Sequence, residues 1–128
     1  MGALVTAEAA IYQFMSGFGI PAFAATSVPD QQGFPYITYD LVSGAWGDGE
    51  NMLTANVWYR TDSEAVPNAK VREIGAAIGH SGVTLRCDGG MLWLKRGKPW
   101  AQAVNISSVD DKVKRRYLII DIEFLTID

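Results

Sequence analysis

The chain has 128 residues, a mass of 13.9 kDa and a net charge of −3, with 48% hydrophobic and 20% charged residues. That is the length of a single domain able to bury a sizeable core, and no apolar run approaches the ~20 residues a membrane helix needs. The lone cysteine, Cys87, excludes an intrachain disulfide, and the start lacks the basic residues of a signal peptide, so an intracellular origin is expected.

Thr6 can cap a helix through its hydroxyl, and Glu8 suits the positive end of the helix dipole. Ile11, Met15 and Phe18 recur at spacings of four and three, which makes one stripe apolar. A helix is predicted over 6–16, stopped by a glycine cap at Gly17. Gly19-Ile20-Pro21 breaks the chain, 22–25 reads as a short edge strand, and 28–33 is loop by composition.

A long hairpin follows. Its arms, 35–42 and 52–60, are rich in β-branched and aromatic residues. Leu53, Ala55, Val57 and Tyr59 share one face of the second arm, and Thr54, Asn56, Trp58 and Arg60 the other. Between the arms, Ser43 to Asn51 form a nine-residue loop with three glycines, Trp46, Asp48 and Glu50, longer than most hairpin loops. Two readings stay open: Trp46 folds back over its own sheet, or the loop docks against a neighbouring protein.

A second helix is predicted over 63–79, capped by Asp62 or Ser63, with Pro67 near its first turn. Val71, Ile74 and Ile78 point inward, Lys70, Arg72 and Glu73 outward. Strands at 83–87 and 91–95 turn at Asp88-Gly89-Gly90; another turn falls at 96–99, and a further strand begins at Trp100. The last strand, 113–127, places Leu118, Ile120, Ile122 and Phe124 on one face and Tyr117, Ile119, Asp121 and Glu123 on the other. Its two partly apolar faces suit a central strand. The order predicts an α+β fold, a mostly antiparallel sheet with two helices packed on one face.

Catalytic constellations are missing from this pattern. His80, the only histidine, sits at a predicted helix end, where a cation suits the dipole. Cys87 lies in a strand with no orienting base in view, and one Cys with one His makes no zinc site without several carboxylates. Gly44-x-x-Gly47-x-Gly49 joins two strands, whereas a phosphate cradle leads into a helix. Asp48, Glu50 and Asn51 match no EF-hand spacing. Asp121 and Glu123 share a strand face and read as a solvated surface rather than an acid–base pair. No enzyme activity, cofactor or metal is expected.

Charge is uneven. Residues 1–64 hold seven acidic groups and one basic, and 65–128 hold seven acidic and ten basic, so the halves carry −6 and +3. Solvated faces explain this, and so do complementary patches between like subunits. The candidate interface residues are Asp40, Trp46, Asp48 and Glu50 on the acidic side, and Arg96, Lys98, Trp100, Lys112, Arg115 and Arg116 on the basic side. The basic set, with Trp100 and Tyr117 near it, also allows a small nucleic-acid-binding module.

Four segments carry a family resemblance: Phe18-Gly19-Ile20-Pro21-Ala22, Phe34-Pro35-Tyr36-Ile37-Thr38-Tyr39, Val57-Trp58-Tyr59-Arg60-Thr61-Asp62-Ser63 and Lys114-Arg115-Arg116-Tyr117. Together they resemble the neck and tail-completion proteins of long-tailed bacteriophages, also labelled minor capsid proteins, and the tail terminators among them. The resemblance implies a virion structural protein, made in the host bacterial cytoplasm, that assembles as a homo-oligomeric, hexameric ring. Such a ring ends tail-tube growth and joins the tail to the head connector. The implied partners are other copies of the chain, the tail tube protein and a connector or stopper protein, with DNA passing through the lumen without sequence-specific binding and with no membrane. Another neck ring, a stopper or adaptor, fits the same motifs.

Overall fold

The computed structural model describes residues 5–42, 50–104 and 110–126. Helix α1 spans Ala7–Met15, and the Thr6 hydroxyl oxygen accepts from the Ala9 N–H at 3.1 Å, as a capping threonine does. Its stripe of Ala7, Ala10, Ile11 and Met15 is buried. The helix does not stop on Gly17. A 3-10 turn, Ser16–Phe18, carries Phe18 into the core, and the left-handed residue that ends it is Gly19, at φ 80°.

Strands β1 (Ala22–Ala24), β2 (Tyr36–Val42) and β3 (Glu50–Arg60) come next, then helix α2 (Ala65–Ile78). Strands β4 (Val83–Cys87), β5 (Gly90–Val104) and β6 (Val113–Thr126) complete the chain. They form one curled six-stranded sheet in the order β1-β2-β3-β6-β5-β4, antiparallel except for the parallel β1–β2 pair. The expected α+β fold is the observed one, and β6 is central.

Alternation fixes which face is buried. Leu53, Ala55 and Val57 of β3, Leu92 and Leu94 of β5, and Leu118, Ile120 and Ile122 of β6 have no exposed surface. They pack with Ile11 and Met15 of α1 and Ile74 and Ile78 of α2, so both helices cover this concave face. Phe124, expected among the buried set, is half-buried at its margin.

Four local expectations are corrected. Strand β3 starts at Glu50, because β6 offers a ladder there: Glu50 pairs with Glu123 and Asn51 with Ile122. The predicted loop is therefore shorter, and its residues 43–49, with Trp46 and Asp48, lie outside the described residues. The N-cap of α2 is Glu64, which makes no side-chain capping bond, and not Asp62 or Ser63; the Ser63 hydroxyl oxygen accepts from the N–H of Ala65, the first residue of the helix, at 3.2 Å. Lys70 does not face outward. It is half-buried, and its ammonium donates to the Phe18 carbonyl and to Glu73 at 2.8 Å, tying α2 to the turn after α1. Finally, 96–99 is not a turn between two strands but a bulge inside one, β5.

Candidate docking surfaces

The bulge builds the most distinctive feature of the surface. Arg96 pairs with Ile120 and Ala101 with Leu118, so four residues of β5, Gly97 to Trp100, stand opposite one residue of β6, Ile119. Two residue choices permit this. A Cβ on Gly97 would lie 2.7 Å from Ile119 Cγ2 and 2.8 Å from its carbonyl oxygen, so only glycine passes there. Pro99 has no N–H to leave unpaired where the ladder is interrupted. The Trp100 indole then lies against α2 at Gly75, where an added Cβ would come 3.2 Å from Nε1.

Beside the bulge opens a cleft of about 720 Å³, with Trp100 and Ile119 as its apolar floor. Lys95, Arg96 and Lys98 supply three cations and Asp121, opposite Lys95 in register, one acid. The Lys95 ammonium lies 4.4 Å from the Trp93 ring centroid. Arg96 Nη2 is 3.1 Å from His80 Nδ1. A guanidinium only donates, so this nitrogen of His80 accepts. His80, expected as a helix cap, thus stands on the cleft wall beyond Gly79, which ends α2 at φ 76°.

The other basic residues separate. Arg116 shares the concave face with Leu118 and is 6% exposed, contrary to its expected place on the basic rim. Its Nε donates to Asn68 Oδ1 at 2.8 Å and its Nη2 to Glu64 Oε1 at 2.7 Å, so it clamps the start of α2 to β6. One residue earlier the side chain falls on the opposite, convex face. There Arg115 donates to Asn56 Oδ1 at 2.6 Å and stands 5.4 Å from the Trp58 ring centroid and 5.9 Å from that of Tyr117. Trp58 is also stacked with Tyr36 at 6.2 Å and donates through Nε1 to Thr38 Oγ1 at 3.0 Å. Lys112 is exposed, 4.0 Å from Asp62.

On the acidic side Asp40 is exposed on the convex face of β2, opposite Thr54. Near it a groove of about 260 Å³ runs between α1 and β1–β2, lined by Ile11, Ala24, Tyr39 and Leu41 with Glu8 and Asp40 at its rim. Cys87 is fully buried, and burial pushes its thiol up, with Asp88 and Glu8 adding to the effect. Among the described residues no group of three or more Cys, His, Asp or Glu side chains is placed to hold a metal ion, and no helix is long and apolar enough to cross a membrane.

The sequence pattern had Arg96, Lys98 and Trp100 as candidates, and the structure brings these three together. It leaves Lys112, Arg115 and Arg116 in three different surroundings. His80, Lys95 and Asp121 complete the cleft; the register that sets Lys95 against Asp121 becomes visible only once β5 and β6 are paired.

No protein-family model and no curated protein sequence matches this chain. Solved structures do match in fold. A chain of the virion of a native gene transfer agent particle superposes with a TM-score of 0.63 at 18% identity, covering 93% of this chain and 94% of that one. A second solved structure, named only by a sequence identifier, gives 0.66 at 13% identity and 94% of both chains. At these identities the likeness is one of fold, and it runs nearly end to end in both.

Proposed function

We propose that this protein is a structural component of a phage-like virion, a tail terminator of the head–tail neck that works as a closed ring and not as an enzyme. The observation that carries the proposal is the end-to-end fold likeness to a chain of a gene transfer agent virion. The motifs at 18–22, 34–39, 57–63 and 114–117 support the finer placement through their resemblance to tail-completion proteins. In this reading copies associate head to tail, because a ring brings one patch of a subunit against a different patch of the next. Exposed Asp40 on β2 and the cations of the cleft beside the β5 bulge supply two such patches. The ring contacts the tail tube on one side and the connector or stopper on the other, and DNA passes through its lumen.

A nucleic-acid module is the weaker reading. Base stacking needs open aromatic faces, whereas the Trp100 indole lies against α2 at Gly75 and the Arg115 guanidinium stands 5.9 Å from the Tyr117 ring centroid.

Native mass spectrometry and negative-stain electron microscopy of the purified chain test the proposal. Closed rings, six copies for a hexamer, are expected at low salt and should loosen as salt screens the exposed charges. A chain that stays monomeric at high concentration in low salt would overturn it.

A further inference from the structure

We propose that the basic cleft at the β5 bulge is the socket for the acidic β2–β3 hairpin of a second copy of this chain. The inference rests on the ring reading above and names the contact that closes it.

The socket side is set by chemistry already described. Three cations against one acid leave the cleft lining with a net positive charge, over an apolar floor of Trp100 and Ile119. Lys98 and His80 are exposed at its mouth. Such a site suits a segment that brings carboxylates together with a large apolar side chain.

One segment of this chain has that composition. From Phe34 to Tyr59 the sequence holds three acids, Asp40, Asp48 and Glu50, two tryptophans, Trp46 and Trp58, and no lysine, arginine or histidine. It is also where the ladder ends: Val42 pairs with Met52, and Met52 is 36% exposed. A subunit cannot seat its own Asp40 in its own cleft. In the order β2-β3-β6-β5, three strand spacings separate β2 from β5, roughly 14 Å at ~4.8 Å each, and both strands are held by their ladders. Asp40 therefore meets a cleft only on another molecule. Because the chain as a whole is acidic, a free polyanion is repelled at long range, while a second copy presents its acids locally.

Charge reversal in separate copies tests the pairing. One variant carries Arg96→Glu and Lys98→Glu; the other carries Asp40→Lys and Asp48→Lys. Each alone should raise the protein concentration needed for assembly by ~tenfold or more, measured by sedimentation velocity and native mass spectrometry. Mixing the two in equal amounts should restore assembly, since the reversed cleft of one copy meets the reversed hairpin of the other. Rescue on mixing also shows that both variants are folded. Failure of the unmodified chain to assemble overturns the ring reading itself. If the unmodified chain assembles and the reversals change nothing, the socket is elsewhere. If both reversals dissociate the ring and mixing does not restore it, cleft and hairpin are not partners. Rescue by all four substitutions in one chain, without rescue on mixing, would mean a contact inside one subunit and would equally overturn the proposal.

Discussion

Replacing Arg116 by alanine separates a clamp inside the subunit from a residue of the rim. The side chain is 7% exposed, and its guanidinium donates to Asn68, to Glu64 and to the Arg115 carbonyl at 3.3 Å. Three losses follow from truncation. The bonds to Asn68 and the carbonyl contribute about 1 kcal/mol net. The buried aliphatic stem contributes about another 1 kcal/mol. Glu64 is 60% exposed, so it recovers hydration when the arginine leaves, and its share is close to that of a surface pair, about 0.5 kcal/mol. Together these predict a loss of about 2.5 kcal/mol, which for a chain of this length lowers Tm by roughly 10 °C. Urea and thermal unfolding of the unmodified chain, Arg116→Ala and Arg116→Lys would measure it. Lysine keeps the stem and the charge but not the fork, so it should recover about half of the loss. If Arg116→Ala unfolds within about 0.5 kcal/mol of the unmodified chain and instead abolishes self-association, the clamp is wrong and Arg116 belongs to an interface.

Three further outcomes concern Asp110, Cys87 and Gly90. The Arg60 side chain, first, and then the Lys112 N–H hold the Asp110 carboxyl below its ordinary 3.8; a depressed folded pKa means a contribution present at neutral pH and lost as pH falls through that lowered value. Carboxyl-carbon NMR should place the Asp110 midpoint below 3.8 in the unmodified chain and higher in Arg60→Ala. Burial keeps the Cys87 thiol protonated at neutral pH, so a thiol reagent at pH 7.5 should label it only after denaturant is added; rapid native labelling would show that β4 opens. A Cβ on Gly90 would meet the Leu125 carbonyl oxygen at 2.0 Å, so Gly90→Ala should cost about 3 kcal/mol or more, read by urea unfolding, and a loss below 1 kcal/mol would mean that the β5–β6 end relaxes easily.

Much of the fold was legible because its signals are short-range. The alternation in 52–60 and 117–124 has period two, the stripe of Ile11, Met15 and Phe18 has helical spacing, and both survive into the structure. Two misreadings share one cause, that the decisive partner is distant in sequence, and a third overlooked strand alternation. Glu50 and Asn51 look like loop until β6 is laid beside them. Asp62 and Ser63 read as the caps of α2, but the N-cap is Glu64, which makes no capping bond and whose carboxylate accepts from Arg116, 52 residues later. Arg115-Arg116 reads as one basic pair, but adjacent strand residues face opposite sides, and the burial of Leu118 already implied that Arg116 faces inward.

The bulge shows why the candidate site was harder to read than the core around it. Arg96-Gly97-Lys98-Pro99 has the composition of a turn, and glycine and proline next to charges are read that way by any local rule. What decides between a turn and a bulge is whether the flanking segments pair with each other or with a common neighbour. Here both flanks, Gly90 to Arg96 and Ala101 to Val104, pair with β6. The strand runs on, and the three residues without a counterpart are pushed out of the ladder. That displacement carries Lys98 to the surface and lays Trp100 on α2 at Gly75, while Lys95 and Asp121 stay opposite each other below it. The cleft is thus a product of register: each of its residues is visible in the sequence, and their meeting depends on a count of residues that only the paired sheet sets.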